Sequence, residues 1–152
     1  MGSFPVQLPL DADGFLRREC PHCRQQFKWH NGSTADRPEG ELDPAVFHCP
    51  RCGVSAAPDQ WWTQEQLTFI QQSAAGPALR EAADELEKAF RGVKGMTYKR
   101  GQLDEPEPPA ALQEPDDMII LAPPCHPWEP VKVPEEAAAR VCCLMCGEPF
   151  AA

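Results

Sequence analysis

Apolar and polar positions alternate along residues 14 to 30, with Phe15, Phe27 and Trp29 falling on either side of a tight polar turn. A period of two predicts a strand, a turn and a returning strand. Residues 31 to 45, carrying Asn31-Gly32 and two prolines, predict a polar loop, and Ala45 to Phe47 a short strand. The period then changes. Thr63-Gln64-Glu65-Gln66 fits a capping box, and Leu67, Ile70 and Ala74 recur at helical spacing. Gly76-Pro77 interrupts that run, because Pro77 has no N–H for the carbonyl four residues earlier. Leu79, Ala83, Leu86 and Phe90 resume it as far as Gly92. The pattern predicts a kinked helix or two consecutive helices, then a short strand over Tyr98 to Arg100.

Residues 104 to 117 hold four prolines, six acids and almost nothing to bury, which predicts a linker. Beyond it, Met118 to Leu121, Pro130 to Val133 and Ala139 to Val141 predict three short strands. The resulting organisation is a β unit over 12–58, a helical segment over 59–103 packed on or beside it, an acidic Pro-rich linker over 104–117 and a second β unit over 118–150. Cores this small usually need a metal or disulfides to fold.

Eight cysteines offer either. Met1 to Leu10 lacks a basic start followed by an apolar run, and no stretch approaches the length of a membrane span. The expectation is a cytoplasmic, reduced protein, in which C-x-x-C pairs favour metal over cystine. Cys20-Pro21-His22-Cys23 and Cys49-Pro50-Arg51-Cys52 each place two thiolates on one turn, and Gly53 allows the positive φ that points amides at sulfur. Facing each other, the two turns supply four soft ligands, Cys20, Cys23, Cys49 and Cys52, which is a closed Zn2+ set with a structural role.

A second set is less regular. Cys143, Cys146 and Gly147 repeat the turn, but the other half must come from the adjacent Cys125 and His126, with Cys142 competing for the fourth position. One Zn2+ is expected at the first set and a second at Cys125, His126, Cys143 and Cys146. His22 and His30 are expected to face solvent. Trp61-Trp62 stands where the helix would dock on the β unit. No phosphate-binding glycine loop, H-E-x-x-H or nucleophile elbow is present, and neither metal set offers an evident vacant position, so no enzymatic activity is expected.

Residues 15 to 53 resemble the zinc ribbon, in which two cysteine turns on β-hairpins clasp one metal; the likeness rests on Cys20, Cys23, Cys49, Cys52 and Gly53. It implies a small metal-stabilised α+β protein of bacterial zinc-ribbon type, with an N-terminal zinc ribbon, a central amphipathic helix and a C-terminal zinc-ribbon-like unit. The resemblance fits a fold and not a function. The turn at Cys49 is also similar to that of rubredoxin, but Arg24 stands where the first rubredoxin turn carries glycine.

Charge separates the functional options. Of a formal −9, the last 52 residues hold ten acids and two bases, and two loaded sites lower the total to about −12. That field repels phosphate backbones overall. The expectation is therefore a non-enzymatic adaptor that binds a protein partner, with the amphipathic helix as one surface. The alternative is a nucleic-acid-binding protein using Arg17, Arg18, Arg24, Lys28, Trp29 and Arg51.

Overall fold

Strand alternation, cysteine turns and helical periodicity each produce the element they predict. A computed structural model describes residues 6–95, 101 and 104–151, so the strand expected over Tyr98 to Arg100 lies outside the described residues. In chain order the elements are β1 (Phe15–Glu19), β2 (Gln26–His30), β3 (Phe47–His48), β4 (Ser55–Ala56), α1 (Gln64–Phe90), β5 (Ile119–Leu121), β6 (Val131–Val133), a 3-10 turn (Glu135–Ala137), β7 (Val141–Cys142) and β8 (Pro149–Phe150). Among the described residues the protein is a small α+β fold with one α-helix and short antiparallel sheets.

Segments 12–58 and 118–150, drawn from the sequence as separate units, share one sheet. Its order is β1-β2-β6-β5, and both belong to a compact unit formed by Leu8–Thr63 and Gln113–Ala152. The physical reason is the free edge of β2, which the β5-β6 hairpin covers. Only two residue pairs join β2 to β6, Lys28 with Lys132 and Trp29 with Val131.

The two faces of this sheet differ in chemistry. Phe27, Val131 and Val133 point into a core that also contains Trp61, Val141 and Leu144 together with Cys20 and Cys49. Trp61 meets Phe27 edge-on at 5.7 Å, and its carbonyl accepts from Glu19 N–H at 2.9 Å. Each fully buried aliphatic or aromatic side chain here contributes about 1.5–3 kcal/mol.

On the opposite face Lys28 and Lys132 lie directly across from one another, an arrangement of like charges that destabilises a strand pair unless compensated. Compensation comes from Asp11. Its Oδ2 accepts from Lys28 Nζ at 3.1 Å and from Lys132 Nζ at 2.9 Å, and all three side chains are almost wholly buried. Glu114 (3.0 Å) and the Pro115 carbonyl (2.6 Å) complete Lys28, while Asp13 (2.6 Å) completes Lys132. Arg17 pairs with Glu114 and Asp117. Burial alone would raise the Asp11 carboxyl, but Lys132, the Phe15 N–H, Lys28 and the Asp13 N–H hold it well below the usual carboxylate range. Burial is likewise outweighed at Asp117, which Arg17 and Lys28 hold low.

Residues 113 to 117, expected to be the end of a free linker, are thus laid on the sheet by Arg17 and Lys28. The preceding residues belong to the other unit, Gln64–Leu112 with the N-terminal residues to Gln7. There Arg80 binds Glu105 at 3.2 Å, and Glu105 and Pro106 lie within 4 Å of where a Cβ on Gly76 would stand. An extended proline-rich chain has few N–H groups to satisfy, so it can lie along a helix at little cost. α1 runs through Pro77 as one helix, so two consecutive helices do not form. Ala83 of the expected apolar face is buried, whereas Leu79 and Leu86 are exposed.

Replacing Asp11 by Ala should destabilise the folded, metal-loaded protein by about 3 kcal/mol in denaturant unfolding, the low end for breaking a buried ion pair because Lys28 and Lys132 each keep another carboxylate. The folded-state carboxyl titrates below its ordinary value of 3.8, so its stabilisation is complete above that pH and fades as pH falls below it. The gap between wild type and Asp11→Ala should therefore close only in that acid range.

Candidate metal centre

Three C-x-x-C segments fold into the same short hairpin. In each, the N–H of the residue after the second cysteine donates to the carbonyl of the first: Arg24 to Cys20 (3.0 Å), Gly53 to Cys49 (2.8 Å) and Gly147 to Cys143 (2.8 Å). Closing the turn this way requires positive φ, which is 79° at Gly53 and 76° at Gly147. Arg24 adopts 60° without being glycine, a conformation that costs a side-chain-bearing residue roughly 1–2 kcal/mol.

The first two turns bring Cys20, Cys23, Cys49 and Cys52 together, with all four sulfurs within 4.8 Å of one another. Cys20 lies 3.7 Å from Cys52 and Cys23 3.8 Å from Cys49. Four sulfurs held at about 2.3 Å around one tetrahedral metal are spaced about 3.8 Å apart, whereas a disulfide needs about 2.0 Å. All eight cysteines are free. Backbone N–H groups of His22 and Cys23 point at Cys20 Sγ (3.3 and 3.4 Å), and those of Arg51 and Cys52 at Cys49 Sγ (3.3 and 3.4 Å). Such donors stabilise thiolate. Burial works the other way: it pushes the Cys49 and Cys23 thiols up, while at Cys20 the amides outweigh it and the thiol is lowered. A metal resolves this conflict by replacing protons with a shared cation.

The second set also assembles. Cys125 Sγ lies 3.5 Å from Cys146 Sγ, and Cys143 Sγ 3.5 Å from His126 Nδ1. Sulfur and nitrogen on one tetrahedral metal are separated by about 3.5 Å, from bond lengths of about 2.3 and 2.0 Å. The adjacent Cys125 and His126 reach one point because the histidine presents Nδ1, the ring nitrogen nearer its backbone. Burial pushes Cys143 up to about 12 and raises Cys125 as well. Cys142, the expected competitor, is outside this set. Its Sγ stands 3.4 Å from where a Cβ on Gly53 would lie, beside the first centre, and burial raises its thiol.

The two centres are joined through their turns. His48, just before Cys49, donates its N–H to the Leu144 carbonyl at 2.8 Å, and Cys142, just before Cys143, donates to the Pro50 carbonyl at 2.9 Å. These are the same positions on the two turns, so the bonds are reciprocal. Gly147 completes the fit, since a Cβ there would stand 2.8 Å from the His48 ring.

The chain matches no family model, no curated protein and no solved structure.

Of the other residues singled out in sequence, His22 is exposed, but His30 is half-buried, with its ring edge-on to Phe15 and Nδ1 bonded to the Gly32 carbonyl. The basic residues do not form one surface. Lys28 and Arg17 are spent on the acidic segment, and Arg18 is buried between the rings of Trp29 (4.7 Å) and Trp62 (4.5 Å), where burial lowers it to about 10. Arg51 donates to the Gln26 carbonyl at 3.3 Å; Arg24 is largely exposed, near Glu19. Sequence reasoning missed the Asp11–Lys28–Lys132 cluster. The alternation of β2 did place Lys28 on the face away from Phe27, but nothing local named its partner 17 residues earlier.

Loaded with a divalent metal, the chain should carry two ions by native mass spectrometry. Cys52→Ser and Cys146→Ser should each leave one, and Cys142→Ser should leave both; one ion in the last variant would return Cys142 to the ligand set. Gly147→Ala forces a side chain into positive φ against His48, and should weaken metal binding at both centres about tenfold in chelator competition.

Proposed function

We propose that this protein is a zinc-binding, non-enzymatic adaptor of the cytoplasm in which two Zn2+ ions hold a protein-binding scaffold together. The observation that carries this reading is the closed donor set at each centre: four sulfurs at one, three sulfurs and a histidine nitrogen at the other, each with tetrahedral spacing. Thiolate with imidazole favours Zn2+ among the common divalent metals, and a filled tetrahedral shell leaves no place for a reacting water. Structural zinc in small peptides contributes about 10–16 kcal/mol of apparent folding free energy, enough to hold a core this size. Among the described residues no helix is long and apolar enough to cross a membrane.

A partner surface is supported by α1, which exposes Leu67, Leu79 and Leu86 over its 27 residues. The nucleic-acid reading has less support, because Arg17, Arg18 and Lys28 are committed to acids or aromatic rings.

Zinc removal by chelation should collapse the tertiary signal of the tryptophans, and zinc alone among Zn2+, Mg2+ and Ca2+ should restore it. Affinity capture with the metal-loaded chain from native cells should return a stoichiometric protein partner. No partner, together with nucleic-acid binding that falls steeply with salt, would reverse the order of the two readings.

A further inference from the structure

Beside the second centre the loop after β2 leaves a cleft of about 320 Å3 that the metal-scaffold reading does not use. Its apolar wall is Trp29 and Phe47, with ring centroids 4.9 Å apart and planes tilted by 49°, and Leu144 also lines it. Two acids, Asp43 and Glu129, and two basic side chains, Arg37 and His30, border the cleft. Arg37 is spent: it binds Asp43 at 2.9 Å, the Glu41 carbonyl at 2.8 Å and Ser33 Oγ at 3.2 Å. The Glu129 carboxylate is half-buried and has no hydrogen-bond or ion-pair partner among the described residues. Half-burial strips water from the carboxylate without giving it a hydrogen bond in exchange.

Arg37 is bonded to Asp43 and His30 Nδ1 to the Gly32 carbonyl, so Glu129 is the acid of the cleft left without an ion pair, and aromatic faces stand beside it. Cations are drawn both to a desolvated carboxylate and to the face of tryptophan, while an apolar stem gains by covering the rings. An anion would meet Glu129 unpaired, and a wholly apolar ligand would bury that carboxylate without a partner. We propose that this cleft binds an alkylammonium group, with the ammonium on Glu129 and its methylene stem against Trp29 and Phe47. The group comes from a lysine side chain of a bound protein or from a free aliphatic amine.

The test uses the full, zinc-loaded chain and n-butylammonium as probe, followed through the Trp29 indole N–H in two-dimensional NMR, with n-butanol as the uncharged control of equal length. Saturable binding at least tenfold tighter for the ammonium than for the alcohol is expected, and Glu129→Gln should remove most of that preference while keeping two zinc ions. Equal shifts from butanol and butylammonium in the wild type would overturn the proposal whatever the variant does. So would a preference that persists unchanged in a zinc-loaded Glu129→Gln. N-acetyl-lysine methylamide and 1,4-diaminobutane then separate the sources: tighter binding of the former assigns the cleft to a protein side chain, and of the latter to a free amine. Failure of this test leaves the metal scaffold intact, since two bound zinc ions are a condition of every arm and the ligand preference is what is read.

Discussion

The reciprocal pair of hydrogen bonds between the turns at Cys49 and Cys143 is the contact on which the rest depends. His48 to Leu144 and Cys142 to Pro50 tie the residue before each first cysteine to the residue after the other. Neither turn can move without breaking bonds held by its counterpart, so geometry imposed by a metal at one centre is passed to the ligands of the other. The core reflects the same economy. Cys20, Cys49 and Leu144 are at once parts of cysteine turns and of the buried cluster around Phe27 and Trp61. A metal here orders side chains that a larger protein would order by packing alone.

A second constraint acts on the far face of the sheet. With two residue pairs joining β2 to β6, one of them lysine against lysine, hydrogen bonding alone specifies the register weakly. Asp11 Oδ2, shared by both ammonium groups, makes this register electrostatically distinct, because a shift of one residue would set Lys132 on the opposite face, among Phe27 and Trp61. Buried ion pairs often contribute little net stability after desolvation. Their value in this fold is selection of one pairing between hairpins separated by about a hundred residues of chain.

Local chemistry was legible in the sequence and long-range chemistry was not. Six of the eight residues in the two clusters lie in C-x-x-C turns, which carry their geometry within five residues, whereas Cys125 and His126 were set against Cys142 and only the fold brings them to the turn at Cys143. Apolar patterning placed β1 and β2 within residues 14–30, and β5 and β6 to within one residue at each end. Three features escaped for one shared reason. Sheet partnership between β2 and β6, the docking of Glu114 and Asp117, and the position of Cys142 beside the first centre all join segments whose meeting depends on the whole fold. Composition marked residues 104–117 as an acidic linker but could not show that two of its acids, Glu114 and Asp117, pair with Arg17 and the buried Lys28. Pro77 left two alternatives open in the sequence, a kinked helix or two consecutive ones, and α1 runs through it as one helix.

Closing both metal shells has a functional consequence. An ion with all four positions filled by the chain would have no place for a reacting water, and would act through the surfaces it positions. The loop from Asn31 to Ala45 is such a surface: one end leaves β2 at Trp29 and His30, the other enters β3 and hence the ligand Cys49, and Thr34 is pinned to the Trp128 carbonyl at 2.7 Å, two residues after the ligand His126. Both centres therefore hold the loop that walls the cleft containing Glu129. Metal loading and the shape of that cleft would be coupled through covalent neighbours and one short hydrogen bond, so an ion held at either cluster would set the geometry of the surface beside it.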